Sequence, residues 1–134
     1  MKLQKILPGL LVFVGGGFGV SVQQGVYRSL SSLGYGIFIY PLINTLGAFA
    51  LGFLAAFLKK KGNHTLVEDR WQELVFSTLG TGFLGGFTSY SAFAMGAVDI
   101  ANTGGSLASL GYLALVTLLG FLAVWLGFFS GEKL

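Results

Sequence analysis

No cysteine occurs in the 134 residues, which excludes disulfides, thiolate metal sites and thiol nucleophiles. Charge is scarce as well. Lys plus Arg number 8 and Asp plus Glu number 5, together 10% of the chain. A soluble domain carries about a quarter. Four stretches lack Asp, Glu, Lys and Arg altogether: Ile6–Tyr27, Ser29–Leu58, Leu74–Val98 and Ile100–Gly131. Each reaches the ~20 apolar residues that cross ~30 Å of hydrocarbon as helix. Buried helices of a soluble bundle would keep a polar stripe, and none of the four stretches has one. The single histidine, His64, lies in the polar segment between the second and third stretches. No Asp, Glu, Lys, Arg or His therefore falls inside a helix core. That removes the buried carboxylate a proton-coupled transporter needs, including one of the small multidrug type, which shares this length and helix count. It also removes the nucleophile–base pair of a hydrolase, so the chain is not expected to be an enzyme.

What remains is apolar and rich in glycine: 54% hydrophobic, with 22 glycines and 13 phenylalanines. The pattern predicts an all-α membrane protein, one domain of four transmembrane helices over about 5–30, 37–58, 68–100 and 106–130. Ser31–Gly36, Gly62-Asn63-His64 and Asn102–Gly105 serve as turns. Trp71 and Trp125 suit the two interfaces. Lys59, Lys60 and Lys61 abut an apolar segment, a position that meets lipid headgroups and not nucleic acid. With four spans, Lys2, Lys5, Lys59, Lys60, Lys61, Arg70 and Lys133 share one side, and Arg28 stands alone on the other. Cytoplasmic loops carry the Lys/Arg excess, so a multi-pass cell-membrane protein with both termini cytoplasmic is expected.

Few polar residues sit inside the apolar runs. Asn44-Thr45 interrupts the second. A side-chain amide in hydrocarbon must be hydrogen-bonded, either as glue between helices or as a donor that replaces water around an anion. The third run holds Gly80-Thr81-Gly82-Phe83-Leu84-Gly85-Gly86-Phe87-Thr88-Ser89-Tyr90-Ser91-Ala92-Phe93. Glycines followed by hydroxyls weaken a helix. Gly82 and Gly86, like Gly15 and Gly19, also suit close helix–helix packing. The sharper expectation is a third helix broken near the bilayer midplane. Carbonyls freed at that depth must line a cavity or bind a cation such as sodium. Beyond the break Tyr90 and Phe93 share a helix face. Their weakly positive ring edges and the hydroxyls of Thr88, Ser89 and Ser91 can touch a small anion. Thr117 and Tyr112 are the hydroxyls of the fourth run between Ser109 and Ser130.

Three blocks then carry a resemblance over nearly the whole chain: Gly15-Gly16-Gly17-Phe18-Gly19, Asn44-Thr45-Leu46-Gly47-Ala48-Phe49-Ala50-Leu51-Gly52, and Gly82 through Phe93. With them the chain resembles the Fluc (CrcB) family of small fluoride channels. The resemblance implies an antiparallel dimer that passively exports fluoride from the cytoplasm and so relieves its toxicity. It also implies a structural sodium ion at the dimer centre, held by backbone carbonyls at Gly85 and Thr88. Asn44, Tyr90, Ser91, Phe93 and Thr117 are the implied pore-lining residues. Gln23 stands where an arginine usually follows the first glycine block. Tyr90 replaces a phenylalanine, and Ala48 and Val116 replace serines. An antiparallel homodimer needs one sequence to insert both ways, whereas seven of eight Lys plus Arg lie on one side here. The expectation is therefore a heterodimer with an oppositely oriented related subunit. A homodimer is the alternative, as is a degenerate-pore or non-conducting role for this chain in such a pair.

Overall fold

The computed structural model describes residues 2–32, 34, 36–61 and 66–133. The expected Gly62-Asn63-His64 turn lies outside the described residues, as do positions 33 and 35 of the Ser31–Gly36 turn. Among those described every element is helical. In order they are α1 (Lys2–Ser31), α2 (Gly36–Lys61), α3 (Leu66–Val75), a π-helical segment (Phe76–Leu84), α4 (Gly85–Phe87) and α5 (Tyr90–Lys133). Among the described residues three helical stretches are long and apolar enough to cross a membrane: Ile6–Ser31, Phe38–Lys59 and Asp69–Lys133, with mean hydropathy 1.7, 1.8 and 2.2.

The last stretch is not straight. Gly105 has φ 83° and ψ 170°, and only glycine enters that region without cost. The chain reverses there. Ser109 Oγ donates to the Ala97 carbonyl at 2.7 Å across 12 residues, which an unbroken helix would hold about 18 Å apart. The rings of Phe93 and Tyr112 also lie 5.9 Å apart. The helix runs on through Asn102, Thr103 and Gly104, so the reversal is tighter than the Asn102–Gly105 turn expected from composition. Thr103 Oγ1 helps by bonding back to the Asp99 carbonyl at 2.9 Å. Gly34, at φ 85°, does the same work between α1 and α2, its N–H bonded to the Ser31 carbonyl at 3.1 Å.

Backbone contact between helices is made at glycines. A Cβ on Gly15 would strike the Thr78 carbonyl, one on Gly19 the Phe83 carbonyl, and one on Gly86 the Gly16 carbonyl. These contacts set α1 parallel to the π segment and α4. Likewise Gly52 meets Val124, Gly127 meets Phe49, and Gly131 meets Phe53, which sets α2 parallel to the second half of α5. In hydrocarbon no hydrophobic force pulls apolar helices together, so dispersion at such close approach must hold them. Large apolar side chains point outward instead: Phe13, Phe18, Leu107 and Phe121 are all exposed. Among the described residues the buried side chains are few, with Ile39 and Ile43 of α2 the largest that are fully buried.

Candidate functional site: a splinted helix break

The helix that starts at Leu66 widens before it stops. Nine residues, Phe76–Leu84, take π-helical form, one closed turn follows, and Thr88 leaves the helix at φ −84°, ψ 150°. A π turn carries an extra residue and is found frequently at functional sites. The run of glycines and small polar residues there (Ser77, Thr78, Gly80, Thr81, Gly82) makes such widening cheap.

Asn44 decides where the break falls. Its Oδ1 accepts the Ser89 N–H at 2.8 Å, and its Nδ2 donates to the Ser89 carbonyl at 3.1 Å. One carboxamide thus satisfies both main-chain groups of a residue that has left the helix, as a neighbouring strand would. Ser89 in turn opens the next helix. Its Oγ accepts the Ala92 N–H at 3.2 Å, the usual bond of a serine N-cap, while its carbonyl accepts the Phe93 N–H at 3.2 Å.

Two carbonyls lose their donors as a result. In a continuous helix Gly85 would receive the Ser89 N–H, and Thr88 would receive the Ala92 N–H. Both N–H groups are diverted, one to Asn44 and one to the Ser89 hydroxyl. Gly85 keeps only the Thr88 hydroxyl, at 3.5 Å, and that hydroxyl bonds better to the Leu84 carbonyl at 3.0 Å. A carbonyl that has lost its helical donor is left to accept from a cation, a water or a polar neighbour.

Alternation in the extended step sends neighbouring residues to opposite sides. Thr88 and Gly85 line a groove of about 510 Å³ with Asn44, Ala48, Thr81 and Val124. Ser89 and Ser91 line another of about 470 Å³, closed by Tyr27, Tyr40, Tyr112 and Asp99. The Ser89 and Ser91 hydroxyls stand 3.2 Å apart. Tyr27 and Tyr40 stack at 4.6 Å across the α1–α2 end of the second groove. Tyr90 is 82% exposed, and its ring lies 6.0 Å from that of Phe93. Phe93 is half-buried between Tyr90 and Tyr112.

Of the expected residues, the structure therefore gathers Asn44, Gly85, Thr88, Ser91, Tyr90 and Phe93 within a few residues of the break. Thr117 is not with them: it is exposed on α5 and lines neither groove. One contributor, Gly96, escaped the sequence, and two that were named for their hydroxyls, Ser89 and Tyr112, act in a way the sequence did not show. Ser89 matters through its backbone, which composition cannot reveal. Tyr112 enters through the reversal at Gly105, and Gly96 has its Cβ position occupied by the Tyr112 hydroxyl. A glycine opposite a tyrosine 16 positions on leaves no periodic signal.

Comparison with known proteins shows the family. The family described as CrcB-like protein, Camphor Resistance (CrcB), matches residues 10–128. A Fluoride-specific ion channel FluC 3 of Yersinia pseudotuberculosis serotype I is 35% identical over 129 residues, covering 92% of this chain and 88% of the relative. A Fluoride-specific ion channel FluC of Hydrogenobaculum is 38% identical over 131 residues, covering 93% and 98%. One from Francisella tularensis subsp. mediasiatica is 33% identical over 121 residues, covering 90% and 91%. The match takes in both glycine blocks, Asn44 and the whole of the break, and the chain belongs to the CrcB family, whose curated relatives carry the name of fluoride-specific ion channels.

Proposed function

We propose that this chain is a subunit of a fluoride-specific ion channel that lets fluoride leave the cytoplasm passively. The supporting observation is the break itself: a helix opened at Thr88–Ser89, with hydroxyls on one flank and Tyr90 and Phe93 beyond it. Fluoride is small and strongly hydrated, so a path for it must offer donors in place of water. Ser91, the spare N–H of Asn44 and the ring edges of Tyr90 and Phe93 are such donors. No titratable group is needed, which suits a passive route. In this reading the chain makes four membrane crossings, the third broken near the bilayer midplane, and pairs with an antiparallel partner.

A structural sodium ion fits the carbonyls of Gly85 and Thr88, because both have lost their helical donors to side-chain oxygens. Sodium is a hard cation that carbonyl oxygens can hold. Two carbonyls are too few for it, so a twofold partner has to contribute as many again. Exchange of sodium for potassium is then expected to lower the melting temperature of the purified dimer and shift it toward monomer. Equal stability in the two salts would remove the ion from the proposal.

The Lys/Arg bias favours a heterodimer. Insertion both ways round would place Lys59–Lys61 on either side with similar frequency, against the rule that cytoplasmic loops hold the positive charge. The absence of native cysteine makes this measurable. A Thr103→Cys chain should react with an impermeant maleimide added outside the cell in nearly all copies. Labelling of about half the copies would mean dual insertion and a homodimer.

Fluoride-electrode recording of efflux from liposomes tests the whole reading. Rapid efflux from the lone purified chain supports a homodimeric channel. Efflux that requires a family member of opposite charge bias supports the heterodimer. Fluoride retained in both preparations overturns the channel proposal.

A further inference from the structure

Among the described residues, Gln23 is the one buried polar side chain that the break does not account for. It is 4% exposed, and its Nε2 has no hydrogen-bond partner. Orphaned buried N–H groups are rare because nothing offsets the loss of water. A glutamine kept in this state has an acceptor to meet that the chain itself does not supply.

Its place on α1 says where that acceptor would lie. Gly15, Gly19 and Gln23 follow one another at single helical turns on the buried face. Gly15 meets Gly82 and Phe83, and Gly19 meets Phe83 and Phe87, so α1 and its neighbour advance together. One more turn carries α1 to Gln23 and the neighbour to Thr88–Ser91, where the helix is open. Asn44 approaches the same step from α2 and spends its Oδ1 and one N–H on Ser89. Gln23 approaches from α1 with its amide N–H₂ unspent. A second protein chain cannot reach a side chain this deep, and lipid tails accept no hydrogen bond. What fits is a small acceptor that enters and leaves.

We propose that the Gln23 amide is an anion ligand at the break, donating Nε2–H to a fluoride ion as it passes. This rests on the channel reading above. A neutral donor suits conduction: it replaces part of the hydration shell without holding the ion as a guanidinium would, and ions must leave as readily as they enter.

The test uses the purified full-length chain with two near-isosteric changes. Gln23→Met keeps the shape and deletes the donor. Gln23→Glu keeps the shape and turns the donor into an acceptor. Wild type should melt at a higher temperature in sodium fluoride than in sodium chloride of equal ionic strength. Gln23→Met should lose that difference yet be more stable in chloride, since an orphaned donor has gone. Fluoride efflux in liposomes, from the chain alone or with its conducting partner, should fall about tenfold or more, the size of one hydrogen bond to a charged group. Gln23→Glu should lose both the shift and the efflux. A fluoride-specific shift that persists in Gln23→Met or in Gln23→Glu would overturn the assignment and leave a structural water as the acceptor. A wild type with no fluoride shift and no efflux would overturn the channel reading itself, and this ligand with it.

Discussion

Asn44→Ala should cost about 2–4 kcal/mol of stability, the sum of two lost hydrogen bonds and the orphaned Ser89 N–H they leave behind, while the Ser89 carbonyl keeps the Phe93 N–H. Both bonds are part-buried and join residues 45 apart. Exposed hydroxyls that bond back to their own helix, such as Ser21 to Gly17, should matter far less when replaced. Asn44→Asp is the informative companion. It keeps an acceptor for the Ser89 N–H but sets a second oxygen against the Ser89 carbonyl, so half of the splint becomes repulsive. Melting temperature in detergent checks the stability term. Hydrogen exchange at Ser89, Tyr90 and Phe93 checks its location, because these N–H groups should exchange faster in either variant while those of α1 stay protected. A loss of stability with unchanged exchange at the break would mean that Asn44 holds α2 in place and not the break. In the channel reading fluoride efflux should also fall by about a hundredfold, since the misplaced step carries Ser91, Tyr90 and the two free carbonyls with it.

A comparable loss is expected from one methyl group on a glycine that touches backbone. Gly19→Ala puts a Cβ into the Phe83 carbonyl and against the Phe87 N–H, and Gly127→Ala puts one into the Phe49 carbonyl. Flexible side chains can step aside, but paired backbones must part along their length. An overpacking cost of about 1–3 kcal/mol each is therefore a lower bound. The same substitution elsewhere has the opposite sign. Gly17 and Gly120 have nothing within 4 Å of their Cβ positions, and alanine there should gain up to about 1 kcal/mol of helix propensity. Thermal unfolding of the four single variants settles the point. Similar losses at all four positions would mean that the helices pack in another register.

The sign of these effects follows the reach of the interactions involved. Membrane character was legible early because it depends on local composition: apolar runs without Asp, Glu, Lys or Arg need no partner to be recognised. All-helical structure follows, since lipid leaves no other way to satisfy the backbone of a single segment. Gly15 and Gly19, or Gly82 and Gly86, were legible as small-residue stripes. That Gly52, Gly127 and Gly131 make equivalent contacts, while Gly17, Gly111 and Gly120 make none, was not. The difference lies in which face another helix happens to cover.

The break shows the same division. From the sequence alone, Gly80–Phe93 could be identified as a weak helix flanked by aromatic and hydroxyl groups, and Asn44 as an amide that must find a partner in an apolar run. The tertiary structure decided that these two are partners. It placed the non-helical step at Thr88 and diverted the N–H groups of Ser89 and Ala92 away from Gly85 and Thr88. It also folded α5 back at Gly105 so that Tyr112 meets Phe93. Weak helix propensity is spread over a dozen residues and can yield at any of them. A carboxamide arriving from another helix satisfies one peptide unit only, and the chain opens where that unit is.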